Sequence, residues 1–217
     1  MEKNEQEIEE IPEPWYRKPL AYLIALFLIL LLVVWYFPSQ AVKVDPEPGT
    51  IPTLAEVVPG NIGVNESVHT EISSALISPY DPAVKQVADK ISTVGCDGSR
   101  ICQSKAVFYF VRDRFDYVPD PMAYEYVKTA RQSLVSQGGD CDDASVLLAN
   151  LLGAIGVETR FVFMPGHVYV QARLPEALRR YKAAEDWVNL DATCRNCKFG
   201  EIPLQNQNQR VSYLNVY

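Results

Sequence analysis

Residues 138–143 place a cysteine where a helix is expected to begin. They read Gly-Gly-Asp-Cys-Asp-Asp, and the apolar stretch 144–156 that follows predicts a buried helix. Unpaired backbone N–H groups and the positive end of the helix dipole favour the thiolate form of Cys141 at such a position. The two glycines allow a substrate backbone to come close to the sulfur. The segment is therefore a candidate site for a thiol nucleophile.

Two residues downstream supply the other groups that a nucleophilic thiol needs. His167 opens the strand-like run 168–170, and Asp191 ends the run 187–190. Cysteine, histidine and aspartate are the nucleophile, base and orienting carboxylate of a thiol triad. Each residue alone also has a structural interpretation. Cys141 could be a small buried side chain, His167 a turn residue and Asp191 a strand-end cap. Together, in a chain with only two histidines, they predict a catalytic triad.

Three carboxylates surround the thiol and act against the helix dipole. Asp140, Asp142 and Asp143 bring negative charge to Cys141, which raises the pKa of a thiol. The same residue type also caps helices and complements their dipole. We expect capping to explain most of these aspartates.

The elements around the triad predict an α+β fold. Asp81 and Pro82 are typical of a helix start, and strands separated by turn residues follow the Cys141 helix. Helices followed by antiparallel strands indicate a small sheet that packs against that helix. The predicted helices are 83–91, 103–115, 124–136 and 144–156; the predicted strands are 159–164, 167–174 and 186–192, with a loop at 117–121, a turn at 138–139 and a helical or looped connection at 175–184.

Composition limits the classes of protein to which the chain can belong. Its 217 residues are 48% hydrophobic and 22% charged, which suits one domain of about 130 to 150 residues with extra segments. The net charge is −7, and the 20 basic residues form no stripe along the sequence. Nucleic acid is therefore not expected as a partner.

An unbroken apolar run near the N-terminus predicts a transmembrane helix at residues 20–37. The run ends in three aromatic residues, which suit a membrane interface. A buried core helix is disfavoured because the run has no polar face. A signal peptide cleaved after Ala41 is the stronger alternative, since small residues occupy both positions that a signal peptidase reads.

The charges next to this helix predict its orientation. Arg17 and Lys18 precede the run and only Lys43 closely follows it, so residues 1–19 are expected in the cytoplasm. The domain, residues 66–217 with a core at about 80–195, is then outside the membrane. Five prolines in 38–65 predict an extended linker, and Asn65 begins a glycosylation sequon.

Four of the five cysteines form two close pairs, which leaves Cys141 alone. Cys96 lies near Cys102 and Cys194 near Cys197. Outside the cytoplasm two local disulfides are favoured. One structural zinc bound by all four cysteines is the alternative, with free buried thiols a further one. No other cofactor or metal is expected.

Three stretches of the sequence resemble the transglutaminase-like superfamily of papain-fold cysteine enzymes, and in particular its microbial members. They are 138–160, 167–172 and 187–193, and residues 111–117 are similar to the helix end that precedes the active site in such proteins. The resemblance covers about residues 80–195. It implies a papain-like, transglutaminase-core fold.

The resemblance also implies roles and a reaction. Cys141 would be the nucleophile, His167 the general base and acid, and Asp191 the orienting residue of acyl transfer through a thioester. A glutamine or peptide amide would be attacked, and water or an amine would resolve the intermediate. The backbone N–H of Cys141 is one natural oxyanion donor. The candidates for a second donor are Gln132, Gln137 and Tyr117.

The function predicted from these observations is a membrane-anchored, extracytoplasmic thiol enzyme that acts on peptides or proteins. Hydrolysis, as by a protease or amidase, is favoured over protein-glutamine acyl transfer because the chain lacks the extra domains of animal cross-linking enzymes. The alternative is a catalytically silent module that binds peptides or assembles an envelope complex. A redox role for Cys194 and Cys197 is weaker, because no strand-then-helix pattern surrounds them.

Overall fold

The computed structural model describes residues 17–41, 45–64, 67–121 and 124–216. These residues belong to two compact units, one up to Val44 and one from Asp45 onward. The predicted sequon at Asn65 and residues 1–16 of the predicted cytoplasmic tail lie outside the described residues. The second unit contains all three residues of the predicted triad.

The first unit holds one helix, α1 (Arg17–Ala41). Its window Pro19–Tyr36 has a mean hydropathy of 2.5, and none of that window is buried. A core helix of a soluble domain would be mostly buried, so that alternative is wrong. Among the described residues, α1 is the helix with the length and composition to cross a membrane. A signal sequence near the N-terminus would have the same properties.

The second unit combines helices with an antiparallel sheet, which confirms the predicted α+β class. Its helices are α2 (Leu54–Val57), α3 (Pro82–Val94), α4 (Arg100–Arg114), α5 (Ala130–Ser136) and α6 (Cys141–Ala154). Its larger sheet contains β3 (Thr159–Met164), β4 (His167–Arg173), β5 (Lys182–Ala184), β6 (Trp187–Leu190) and β7 (Ser212–Asn215), in the order β5-β6-β4-β3-β7. All pairings in this sheet are antiparallel.

The helix starts differ from the predicted ones where a polar side chain caps the backbone. The Ser99 hydroxyl accepts the N–H of Cys102, so α4 begins at Arg100 rather than at 103. The helix predicted at 124–136 is shorter, because Thr129 and Gln132 form a capping box that starts α5 at Ala130. Both caps are residue types that the sequence displays directly.

Two segments that were predicted as a loop and a turn pair as short strands. β1 (Asp116–Tyr117) runs parallel to β2 (Gly138–Gly139), with Tyr117 opposite Gly139 in register. The connection at 175–184 contains a 3-10 turn (Arg179–Tyr181) and β5. β7 was not predicted. The β1–β2 pair matters most, because it fixes the residues that lead into Cys141.

α6 is the centre of the domain. Eleven of its 14 residues are buried, as its uniformly apolar sequence predicts. It packs on β4 and β3 on one side and on α3, α4 and α5 elsewhere. The helix ends at Ala154, and Gly156 continues the chain at a φ of +77°, which a glycine adopts without strain.

Residues 45–64 belong to the domain, whereas the sequence pattern predicts a linker there. The side chain of Lys105 on α4 is fully buried, and its ammonium lies 2.6 Å from carboxylate oxygens of both Asp45 and Glu47. A buried lysine needs such partners to stay charged. The proline-rich composition of this segment hid the contact, because ion pairing leaves no apolar periodicity in the sequence.

Candidate active site

The chain presents Cys141 at the start of α6 through a cap and a close backbone approach. Oδ1 of Asp140 accepts the N–H groups of Asp142 at 3.1 Å and of Asp143 at 3.4 Å. Gly139 packs directly on this turn, since a Cβ there would lie only 2.1 Å from Oδ2 of Asp143. A side chain at 139 would therefore displace the first turn of α6, and with it the thiol.

His167 and Asp191 form a hydrogen-bonded pair. His167 is the first residue of β4, and Asp191 directly follows β6. Nε2 of the imidazole lies 2.8 Å from Oδ2 of the carboxylate, which is only 1% exposed. A carboxylate accepts here, so Nε2 carries the proton and Nδ1 stays available as a base. The imidazole also stacks on the ring of Tyr169, two residues along the same strand.

A second residue holds the carboxylate in place. Oδ1 of Asp191 accepts both the backbone N–H of Thr193, at 3.2 Å, and its hydroxyl, at 2.8 Å. Each oxygen of Asp191 thus has its own partner. The sequence prediction missed Thr193, although its position two residues after the aspartate is typical of a side chain that bonds back to the turn.

The thiol lies against the strand that begins with His167. The backbone N–H of Val168, the next residue, lies near the thiol of Cys141 and favours its ionised form. The hydroxyl of Ser145, one turn further along α6, donates to the carbonyl of Val168 at 3.2 Å. The structure therefore places the start of α6, which carries Cys141, against the strand that begins with His167.

Burial and nearby charge keep the resting thiol protonated. Burial, followed by the carboxylate of Asp142, raises the pKa of Cys141 to about 12, while the N–H of Val168 opposes the rise. Burial and the neighbouring Asp143 and Asp142 likewise raise the pKa of Asp140 to about 6. Burial and the nearby carboxylates together outweigh the expected stabilisation of the Cys141 thiolate by the helix dipole.

Asp143 has a partner of its own. Its carboxylate is fully buried and pairs with the ammonium of Lys128, while the backbone N–H of Lys128 donates to Oδ1 at 2.7 Å. This pair ties the segment before α5 to the first turn of α6. It also means that Asp143 differs from Asp140 and Asp142, because a cation compensates its charge.

An open cavity of about 470 Å³ borders the His167–Asp191 pair. Tyr117 forms one wall and Gly166 lies beside His167. The remaining lining is largely polar and uncharged, with Thr193, Gln205 and Asn206 among its residues. A cleft of this size beside a buried dyad has room for part of a peptide chain.

The family model of the transglutaminase-like superfamily matches residues 85–192, a range that contains Cys141, His167 and Asp191. This domain belongs to the transglutaminase-like superfamily. No curated protein sequence matches the chain.

Solved structures resemble the transglutaminase-like domain at low sequence identity. A candidate protease from Parabacteroides distasonis has a TM-score of 0.46 and 16% identity over 66% of this chain, which spans only 28% of that protein. Calcium-bound LapG from Legionella pneumophila has a TM-score of 0.42 and 17% identity, over 60% of this chain and 74% of its own. A candidate cysteine protease from Cytophaga hutchinsonii has a TM-score of 0.42 and 16% identity, over 79% of this chain and 61% of its own.

The three candidates for a second oxyanion donor differ in their positions within the transglutaminase-like domain. The side-chain amide of Gln132 donates to the carbonyl of Ser67 and to the hydroxyl of Tyr126, away from the thiol. Gln137 is exposed and ends α5 at a φ of +56°. Tyr117 borders the cavity beside His167. Of the three, Tyr117 alone borders this cavity.

The remaining four cysteines of the domain form two disulfides, Cys96–Cys102 and Cys194–Cys197. Cys141 is the free thiol. The second disulfide closes the turn after Asp191, and Cys194 also borders the cavity. A redox role has little support from this position, since no helix begins at either cysteine of the pair.

Acidic side chains near the thiol are close enough to contact one cation. Ligand atoms of Asp120, Glu125 and Asp140 lie within 4.8 Å of one another, as do those of Asp140, Cys141 and Asp142. Clusters of partly exposed carboxylates are common on protein surfaces, and we assign no metal to them. Their clear effect is electrostatic, because they hold negative charge beside the sulfur.

We expect the charge of Asp140 to destabilise the folded domain at neutral pH. Its pKa is raised on folding, so stability is fully present below pH 4, the range of an unfolded aspartate, and is lost as the pH rises through about 6. Asp140→Asn keeps the helix cap. It should therefore stabilise the domain by about 1–2 kcal/mol at pH 8, allowing for partial exposure, and change nothing at pH 4. Urea unfolding at both values measures this; equal gains at both would contradict it.

Proposed function

We propose that the chain is a membrane-anchored, extracytoplasmic cysteine enzyme that hydrolyses amide bonds in peptides or proteins. The observation that carries this proposal is the hydrogen bond between His167 and Asp191, at 2.8 Å. The next residue of the strand after His167 is Val168, whose backbone N–H lies near the thiol of Cys141. That arrangement supplies the nucleophile, base and orienting group of acyl transfer. The chemistry requires no cofactor.

The reaction would begin with proton transfer from a neutral thiol. Because the pKa of Cys141 is raised, Nδ1 of His167 would remove the thiol proton as Sγ attacks the carbonyl carbon. The tetrahedral oxyanion would form beside the backbone N–H of Cys141. The Asp140 side chain caps the N–H groups of Asp142 and Asp143 and not that of Cys141. Collapse would break the C–N bond, give the leaving amine the proton held by His167, and leave a thioester.

Water would then complete the cycle. His167 would take a proton from the water as its oxygen attacks the thioester, and the released Cys141 sulfur would regain that proton. Throughout, Asp191 would hold the imidazole and stabilise its charged form. A primary amine in place of water would give transamidation through the same thioester. The uncharged residues that line the rest of the cavity favour neither water nor an amine as the second nucleophile.

Membrane anchoring is proposed on the properties of α1. Its exposed apolar window and the basic residues Arg17 and Lys18 before it support a single span with residues 1–19 in the cytoplasm. The mass of the mature chain tests this, since cleavage after Ala41 would remove the helix.

A peptide mixture tests the reaction because it offers many candidate substrates at once. The full chain, in detergent micelles, is incubated with peptides from a proteome digest and a primary amine, and mass spectrometry detects the products. We expect new peptide termini or conversion of glutamine to glutamate, and neither with Cys141→Ala. Amine incorporation alone would replace hydrolysis by acyl transfer.

The same assay tests the second candidate, a silent peptide-binding or envelope-assembly module. The raised pKa of Cys141 favours this candidate, because a thiol that stays protonated is a poor nucleophile. The module predicts peptide capture that Cys141→Ala leaves unchanged, and no product. That pair of results would overturn the proposed enzyme.

A further inference from the structure

The backbone of Val168 lies where the sheet leaves a gap. Met164 pairs with His167 across a two-residue turn, and Val168 lies opposite Phe163. Because hydrogen-bonded and non-hydrogen-bonded pairs alternate along antiparallel strands, the N–H and C=O of Val168 point away from β3. On that other side β6 pairs with β4 only as far as Val170. Both backbone groups therefore need partners from outside the sheet.

The first two turns of α6 provide these partners. The hydroxyl of Ser145 donates to the C=O of Val168 at 3.2 Å, and the N–H of Val168 lies near the thiol of Cys141. Cys141 and Ser145 are four residues apart, so they share one face of the helix. Ser145 is only 4% exposed. The helix thus docks on Val168 through the hydroxyl of Ser145, with the thiol of Cys141 nearby.

We propose that Ser145 is a positioning residue of the active site. Its hydroxyl fixes the N-terminal half of α6 to the residue that follows His167, and so sets the distance between the thiol and the imidazole. Ser145 itself touches no reacting atom. The inference rests on the proposed function, since it concerns the same thiol and base.

Burial alone does not explain this hydrogen bond. The hydroxyl oxygens of Ser104, Ser133 and Thr159 are buried in the described part of the chain and have no hydrogen-bond partner there. The fold therefore tolerates buried hydroxyls without partners. Ser133, fully buried on α5, is a matched control, because alanine at 133 removes a buried hydroxyl but no bond.

The test measures alkylation of Cys141 in the full chain, in detergent micelles, between pH 6 and 10. Chloroacetamide is the probe, and mass spectrometry reads Cys141 while the disulfides protect the other cysteines. We expect Ser145→Ala to lower the rate at pH 7.5 by about five- to tenfold, as the loss of one ordinary hydrogen bond would, and to shift the pH profile. Ser133→Ala should follow the wild type, and Ser145→Thr, which keeps a hydroxyl, should recover most of the rate.

Two results separate failure of this inference from failure of the proposed function. If His167→Ala slows alkylation but Ser145→Ala behaves like Ser133→Ala at every pH, the positioning role is overturned. If His167→Ala has no effect, the proposed enzyme fails, and amide hydrogen exchange of Val168 decides the inference. Amide hydrogen exchange at Val168 that is at least about fivefold faster in Ser145→Ala than in the wild type supports the docking role. An unchanged exchange rate overturns it.

Discussion

Asp191→Asn is expected to lower kcat/KM for amide hydrolysis by about 10⁴-fold, the loss in kcat known for a triad histidine held in the wrong tautomer. The reason is the way in which the carboxylate is shared. Oδ2 accepts from His167, and Oδ1 accepts both the N–H and the hydroxyl of Thr193. An asparagine has only one acceptor oxygen, so its NH₂ group must face either Nε2 or the donors of Thr193.

Both orientations of the asparagine impair the dyad. With NH₂ towards His167, Nε2 must become the acceptor and Nδ1 carries the proton, which removes the base. With NH₂ towards Thr193, two donors meet in a site that is 1% exposed, and the side chain is displaced. An aspartate is therefore required at position 191, because both of its side-chain oxygens accept hydrogen bonds. At a site where the second oxygen had no partner, an asparagine could take its place.

The peptides that the mass-spectrometric assay identifies are the substrates for this measurement. Thr193→Val is the matched control, since it removes the 2.8 Å hydroxyl bond but keeps the charge and the backbone bond, and it should cost about tenfold or less. Thermal unfolding should show that both variants fold. Activity of Asp191→Asn above a tenth of the wild type would contradict the orienting role.

The sequence alone predicted the parts of the fold that depend on local pattern. α6 and strands β3, β4 and β6 were found because long apolar runs and clear turn residues mark them. The α+β class followed from their order. The start of α5 was missed, although the Thr129–Gln132 capping box was a readable signal.

Contacts between distant residues could not be predicted in this way. The burial of Lys105 against Asp45 joins two residues that are 60 positions apart in the sequence. The role of Ser145 depends on where β6 stops pairing with β4, and no local pattern specifies that end. The β1–β2 pair was missed because two glycines indicate a turn, whereas their partner strand lies about twenty residues upstream.

The candidate site shows the same division between local and distant information. The types and order of Cys141, His167 and Asp191 led to the proposed triad, and the structure pairs His167 with Asp191 and packs α6 against β4. The sequence favoured a thiolate at the start of the helix and assigned most of the surrounding aspartates to capping, because burial of the thiol leaves no signal in the sequence. The structure gives a thiol whose pKa is raised, with burial as the largest cause.

The second large effect is expected from Lys128→Met, which should lower the free energy of unfolding by about 3–5 kcal/mol. Lys128 neutralises the fully buried carboxylate of Asp143. Without its ammonium, that carboxylate keeps the 2.7 Å bond from the backbone N–H of residue 128 but is left as an uncompensated charge. Gly139 packs on the same carboxylate, so the turn before Cys141 cannot move aside easily.

Urea unfolding of the full chain measures this loss, and the double variant Lys128→Met with Asp143→Asn is its matched control. Asparagine keeps an acceptor for the backbone N–H and removes the charge, so the double variant should recover at least half of the lost stability. A loss below about 1 kcal/mol in Lys128→Met, the range of an exposed ion pair, would contradict the inference of a buried charge that needs its partner.

The same substitution should also affect the thiol. Removal of a cation beside the first turn of α6 makes the thiolate of Cys141 less stable, so the pKa of the thiol rises further and alkylation below that pKa slows. The double variant removes the negative charge as well and should restore the rate. Slower alkylation in Lys128→Met, with recovery in the double variant, would show that this ion pair serves both the stability of the turn and the ionisation of the nucleophile.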